Sequence, residues 1–135
     1  MSLLESRALR CPCDSGESYA ECCGSYHTDR TTPPTAQLLM RSRYSAFAVG
    51  DSDYLLRTWH PSTRPATVDL DSTLRWIRLE VEHTERGGLF DGDGVVRFTA
   101  HYRDGAERGS QHETSRFVRF NRNWTYLDAI DGRSD

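Results

Sequence analysis

The sequence predicts an α+β fold in which helices pack on one face of a curved antiparallel sheet, preceded by a small cysteine knuckle. Three observations carry that expectation. Residues 36–60 space their apolar side chains as helices do, the pattern switches to strict alternation from Trp76 onward, and all four cysteines lie between Cys11 and Cys23.

Composition sets the bounds. A chain of 135 residues is long enough to bury a core without covalent help, so a disulfide framework is not required for stability. Three Trp, six Tyr and five Phe in a 36% apolar chain are globular in character, and the mean hydropathy of -0.70 describes a strongly polar surface. With 17 Lys and Arg against 20 Asp and Glu, the net charge of -3 argues against a general polyanion binder. The opening "MSLLESRALR" has no apolar run of signal-peptide length, and no later stretch reaches the roughly 20 apolar residues that span a bilayer. The expected location is the cytoplasm, where thiols stay reduced.

The first element is the knuckle "CPCDSGESYAECC". Cys11 and Cys13 form a C-x-C pair, and Cys22 and Cys23 follow after an eight-residue loop, so four sulfurs can converge without long-range folding. Closed sets of four thiolate or imidazole ligands are the structural zinc pattern. Pro12 stiffens the first pair, while Asp14, Ser15 and Gly16 supply turn chemistry that can aim backbone N–H groups at sulfur. Ser18 and Glu21 have capping-box spacing, which predicts a short helix from about Tyr19 with Gly24 as its left-handed stop. Disulfides are disfavoured by the expected compartment and by the adjacency of Cys22 and Cys23; redox chemistry is disfavoured by the absence of C-x-x-C. The expected ligands are Cys11, Cys13, Cys22 and Cys23 on a structural zinc, with His27 as an alternative to one of the adjacent pair.

The body follows in order. "AQLLMRSRYSAFAVG" keeps Leu38, Leu39, Met40, Tyr44, Ala46 and Phe47 on an apolar stripe, with Thr35 as N-cap and Gly50 as stop. A shorter helix in "DSDYLLRTWHP" is capped by Asp51 or Ser52 and ends before Pro61. In "WIRLEVEHTE", Ile77, Leu79 and Val81 alternate with Arg78, Glu80 and Glu82 as in a half-buried strand. "VVRFTAHYRD", "HETSRFVRF" and "WTYLDAI" complete four strands in an antiparallel meander, with "DGDG" and "NRN" as turns. "DGDG" lacks the spaced carboxylates and closing glutamate of a calcium loop.

The cysteine stretch resembles the SEC-C motif, the zinc-binding module at the carboxyl end of the translocation ATPase SecA: C-x-C, eight residues, then C followed by C or H. Ser15, Gly16 and Tyr19 also match, whereas Asp14 replaces a usual glycine and Glu17 a common lysine. "LMRSRYSAFAVGDSDYLLRTWHPSTRP", with "SRFVR" and "WTYLD", resembles the YchJ family of small bacterial proteins. That resemblance implies a SEC-C-like zinc-binding motif over residues 1–30 and a nuclear-transport-factor-2-like domain over 31–135, a cone of bent antiparallel sheet wrapped around helices. It implies an architecture and leaves the activity open.

Cones of this kind often enclose a cavity. Tyr44, Trp59 and His60 from the helical half, with Arg78, His101, Glu113, Ser115, Arg116 and Asp128 from the strands, are the side chains available to line one. A histidine beside a carboxylate in an apolar pocket can serve as general base, which makes His60, Glu113, Arg116 and Asp128 the candidate catalytic residues. Arg116 inside a strand either snorkels to solvent or meets a buried carboxylate, with Glu113 or Asp128 as the natural partner, and an exposed pair is the other reading. His101 and His112 are expected on a wet face, and Trp59, Trp76, Trp124 and Tyr126 as packing aromatics. Two functional readings follow. One is a zinc knuckle that docks a protein partner, on a cone domain that binds a small molecule or partner. The other is a cone-domain hydrolase, isomerase or dehydratase. Nucleic acid is disfavoured by the acidic knuckle residues Asp14, Glu17 and Glu21.

Overall fold

Thr35 stands in extended backbone (φ -134°, ψ 160°), and its hydroxyl accepts from Leu38 N at 3.2 Å, so the helix starts where the cap satisfies its first free amides. Gly50 ends it in the left-handed region at φ 82°. In this computed structural model, which describes residues 10–71 and 73–134 and only the backbone of 131–134, that helix is α2 (Ala36–Val49). The opening segment read for a targeting signal lies outside the described residues apart from Arg10. The short helix α1 (Cys23–His27) precedes α2, and α3 (Ser52–Arg57) follows it, capped by Asp51 accepting from Tyr54 N.

Four strands follow: β1 (Leu74–Arg86), β2 (Asp93–Asp104), β3 (Glu107–Phe120) and β4 (Asn123–Ser134). They pair antiparallel in the order β1-β2-β3-β4, the meander that the alternating pattern predicts. The sheet is irregular at four places, between Trp76 and Arg78, Val81 and His83, Thr114 and Ser115, and Arg116 and Phe117. Bulges of this kind add local twist and bend, which curls the sheet around α2.

The first irregularity overturns one expectation. Ile77 has no partner on β2, the side-chain parity resets there, and Ile77 is 44% exposed while Trp76 and Leu79 face inward. On β2 and β3, Val96, Ala100 and Phe117 keep the expected inward side and are buried with Leu39, Met40 and Tyr44 of α2, while Thr99, on the opposite side of β2, is buried as well. The cysteines belong to the same core cluster, so the knuckle is packed into the body of the protein. A second cluster, Ala46, Tyr54 and Leu55, joins α2 to α3.

The chain after α3 attaches to the far edge of the sheet. Trp59 makes a parallel bridge to Tyr126, with Tyr126 N donating to Thr58 O and His60 N donating to Tyr126 O, both at 2.8 Å. This fixes Trp59 beside Tyr126 on the β4 border.

Candidate functional site

The knuckle turns through two left-handed residues, Asp14 (φ 66°) and Gly16 (φ 86°). Aspartate is among the few side chains that tolerate that region, so its replacement of glycine leaves the turn intact. Cys11 N donates to Glu17 O at 3.0 Å, and Cys22 N to Ser18 O at 3.0 Å, folding the two halves of the loop together. Ser18 Oγ accepts from Glu21 N at 3.3 Å, as the capping spacing predicts, but the turn does not continue into a helix from Tyr19. The helix begins at Cys23 and includes Gly24, which is therefore not its stop. Glycine is needed there for a different reason: a Cβ at position 24 would lie 2.6 Å from Tyr19 O. That close approach, with Gly24 N donating to Tyr19 O at 2.7 Å, sets the turn that presents Cys22 and Cys23.

All four sulfurs are buried and free, and they lie within 4.8 Å of one another. Cys13 Sγ is 3.6 Å from Cys22 Sγ, and Cys22 Sγ is 4.0 Å from Cys23 Sγ. Those separations far exceed the ~2.05 Å of a disulfide. They bracket the edge of roughly 3.8 Å for a tetrahedron of sulfurs ~2.3 Å from a central zinc. The donor set and its dimensions thus fit a metal ion of zinc size. Hydrogen bonds from Cys13 and Cys23 hold the Cys11 thiol well below the ordinary range, whereas burial pushes Cys22 up to about 11 and its bonds to Cys11 and Cys13 push Cys23 higher still. One thiolate is comfortable among these neighbours; ionising all four needs a cation between them.

The surroundings hold the sulfurs in place. The Ser15 hydroxyl donates to Cys22 Sγ at 3.2 Å, and Cys11 Sγ contacts Ser45 Oγ of α2 at 3.6 Å. Arg41 of α2 donates to Cys13 O at 2.7 Å, and Leu79 N of β1 donates to Asp14 Oδ2 at 3.1 Å. His27 stands outside the sulfur group: its Nδ1 meets Tyr19 Oη, and its Nε2 bonds Ser42 O at 2.8 Å.

A second feature lies between α2 and the concave face of the sheet, a cavity of about 280 Å³. Tyr44, Trp59, Glu113 and Ser115 line it as the sequence led us to expect. Glu113 accepts from the Ser115 hydroxyl and, at 3.5 Å, from Tyr126 Oη. Burial, with the Glu113 charge behind it, pushes the Tyr126 phenol up to about 12.

Several expected residues lie elsewhere. Arg116 is exposed and grips Asp128 through two bonds of 2.7 and 2.6 Å, so neither enters the cavity, and of the two readings of Arg116 the exposed pair is the one the structure shows. The buried Ser115 and Phe117 on either side already place Arg116 on the opposite face by strand parity. His60 accepts at Nδ1 from Ser62 N and packs edge-on against Phe120, away from the cavity. Arg78 and His101 meet Glu80 on the outer face, at 2.8 and 2.6 Å. His112 Nδ1 bonds Thr99 Oγ1, whose hydroxyl donates to Glu82.

Arg43 is the residue that sequence reasoning missed. It is 6% exposed, lines the cavity, and donates through Nη1 to Leu55 O and Thr58 Oγ1, both at 2.7 Å. Its guanidinium lies 5.0 Å from the Trp59 ring centre and 4.7 Å from that of Tyr126, and burial lowers its pKa to about 10. The signal was present in the spacing, because Ala36, Met40, Arg43 and Phe47 recur at the four-three-four interval of a helix face.

Comparison with known proteins agrees with this architecture. A family model described as YchJ, middle NTF2-like domain, matches residues 35–129, and the SEC-C motif matches residues 7–25. A UPF0225 protein of Streptomyces coelicolor is 52% identical over 118 residues, covering 87% of this chain and 92% of its own. One from Deinococcus radiodurans is 45% identical over 123 residues, covering 90% and 88%. Among solved structures, a SEC-C motif containing protein from Rhodopseudomonas palustris superposes with a TM-score of 0.78 at 31% identity, covering 90% of this chain and 98% of that one. Another from Psychrobacter arcticus gives 0.72 at 27% identity, covering 87% and 80%.

Proposed function

The chain belongs to the YchJ-like family, a SEC-C motif joined to an NTF2-like domain, and on that premise we propose that it is a zinc-binding protein whose knuckle is a structural and docking module. The cone domain carries the knuckle and takes a small molecule in its cavity. One observation supports the zinc reading above the rest: four buried free sulfurs within 4.8 Å of one another. Cys11, Cys13, Cys22 and Cys23 would hold the ion, and a closed tetrathiolate set leaves no position for substrate, so the metal's contribution is to folding. The exposed turn from Asp14 to Ser18, with Glu21, is the surface such a module offers, and its acidic side chains favour a basic protein partner over nucleic acid. Reduced thiols and a structural zinc accord with a cytoplasmic protein.

The enzymatic reading is weaker. Of the candidate catalytic residues His60, Glu113, Arg116 and Asp128, only Glu113 lines the cavity, and among the described residues no histidine lines it with Glu113. A hydrolase, isomerase or dehydratase would have to work from Glu113 with Tyr126 and Arg43.

Native mass spectrometry of freshly purified protein, repeated after chelation, tests the proposal. The expected result is one zinc per chain with four deprotonated thiols, lost on substitution of Cys22→Ser or Cys23→Ser. Two oxidised pairs without metal would overturn it.

A further inference from the structure

We propose that the cavity binds a small organic monocarboxylate with an aromatic body, and that Arg43 takes the carboxylate through the free Nε and Nη2 edge of its guanidinium. The inference rests on the reading of the cone cavity as a binding site and names what that site selects.

Arg43 lines the cavity and is 6% exposed. The two hydrogen bonds that hold it both leave from Nη1, to Leu55 O and Thr58 Oγ1 at 2.7 Å. Among the described residues nothing accepts from Nε or Nη2, and no carboxylate pairs with this arginine. The atoms sealed from water without a partner are Tyr44 Oη and Trp59 Nε1; Nε and Nη2 of Arg43 are not among them, so that edge keeps open surface, and the cavity is the open space that Arg43 lines. Buried arginines are almost always paired, because an uncompensated charge held away from water is costly.

Nε–H and one N–H of Nη2 point the same way in the rigid plane of a guanidinium, at the spacing that the two oxygens of a carboxylate meet. One ligand group at one side chain is therefore all that the fit requires. A carboxylate also brings the missing negative charge, which a neutral carbonyl does not. Glu113 does not supply it: the carboxylate turns Oε2 to the hydroxyls of Ser115 and, at 3.5 Å, Tyr126. Tyr126 stands between the two charges, with its ring centre 4.7 Å from the Arg43 guanidinium and its hydroxyl against Glu113. Burial lowers the Arg43 pKa only to about 10, so it is a cation at neutral pH, and Glu113 counts least among the groups that oppose that lowering. Met40, Phe47, Trp76, Phe98 and Phe117 give the cavity apolar and aromatic walls for the body of the ligand. A volume of about 280 Å³ lies just under the range of about 300–1,000 Å³ for drug-sized ligands, which limits that body to one or two rings.

The test uses the full-length, metal-containing protein labelled with nitrogen-15 and titrated with benzoate and phenylacetate, each beside its neutral amide. Arg43→Lys identifies the Arg43 Nε–H signal and removes the fork. The expected result is a saturable downfield shift of that signal by a carboxylate, with the matching amide, and the carboxylate on Arg43→Lys, binding about tenfold more weakly or worse. Glu113→Gln removes a like charge from the cavity and should tighten the carboxylate about threefold or more. If the amides bind as tightly as the acids, if Glu113→Gln weakens the acids, or if the acids shift other arginines and leave Arg43 in place, the carboxylate assignment falls; amides that bind leave the cavity standing as a binding site. If neither acid nor amide gives a saturable shift at Arg43 at millimolar concentration, both fall. Zinc content of the same sample reports the metal reading separately. Should Arg43→Lys disturb the fold, calorimetry of acid against amide on the wild type and on Glu113→Gln carries the same decision.

Discussion

Arg116 and Asp128 form the best-aligned ion pair among the described residues, yet both are substantially exposed, at 47% and 37% of the side chain. Exposed pairs gain little because water screens them and ordering two side chains costs entropy. Arg116→Ala should therefore melt close to wild type, and a large fall in Tm would show that the pair supports β3 and β4 more than its exposure allows. Its hydrogen bonds to Arg116, then the charge, hold the Asp128 carboxyl below the ordinary 3.8. The sign follows from that direction. What the pair contributes is present above the unfolded value and fades as pH falls through the lower folded one, so wild type and Asp128→Asn should converge in urea titrations only below about pH 4. The sequence narrowed the partner to Glu113 or Asp128, and pairing with β4 decides for Asp128; the outward direction of Arg116 was legible once Ser115 and Phe117 are counted on the opposite face. Arg43 was legible only as a member of the helix stripe. Its hydrogen bonds need α3 and the following turn in place, which no local spacing reveals.

The β1–β2 hairpin and the start of α2 meet at three small residues. Ala36 N donates to Gly87 O at 2.9 Å, and a Cβ at position 94 would lie 2.5 Å from Gly87 Cα and 3.3 Å from Ala36 Cβ. Backbone atoms cannot swing aside as a flexible side chain can, so Gly94→Ala must separate the hairpin strands or push α2 off the sheet. The expected cost is about 1–3 kcal/mol, read as a lower urea midpoint at unchanged m-value. A midpoint equal to wild type would mean that the contact relaxes freely. The strands themselves were readable from period two and the helices from their caps, because those signals are local. The displaced parity at Ile77 was not, since a bulge is fixed by pairing with β2. Nor was the late start of α1, which the close approach of Gly24 to Tyr19 decides.

Helix α2 connects the two features of the fold. One side holds the knuckle through Arg41 and Ser45, and another lines the cavity with Arg43 and Tyr44. Removing the metal should therefore be felt at the cavity. Chelation is expected to lower Tm and to flatten the near-ultraviolet circular dichroism of the aromatic side chains around Trp76, Trp59 and Tyr126. An unchanged aromatic spectrum at zero zinc content would show that the knuckle and the cone are independent. The resemblance in the sequence reached the cone and the knuckle separately. That they share one core, with all four cysteines in the same buried cluster as Leu39, Tyr44 and Trp124, is a property of the assembled chain.

The amide of Leu79, held by Asp14 of the knuckle, bears on how the borders of the sheet are covered. A four-stranded open sheet leaves two borders whose free N–H and C=O groups invite pairing with a neighbouring chain. On the β1 border, Asp14 occupies a mid-strand donor, the irregularities at Ile77 and Glu82 interrupt the row, and Arg78, Glu80 and Glu85 add charge. On the β4 border, the Trp59–Tyr126 bridge and the Thr63 hydroxyl bonded to Leu127 O cover the middle of the strand. The knuckle and the turn after α3 thus each cover part of one margin of the sheet, leaving fewer free backbone groups there for a neighbouring strand to pair with.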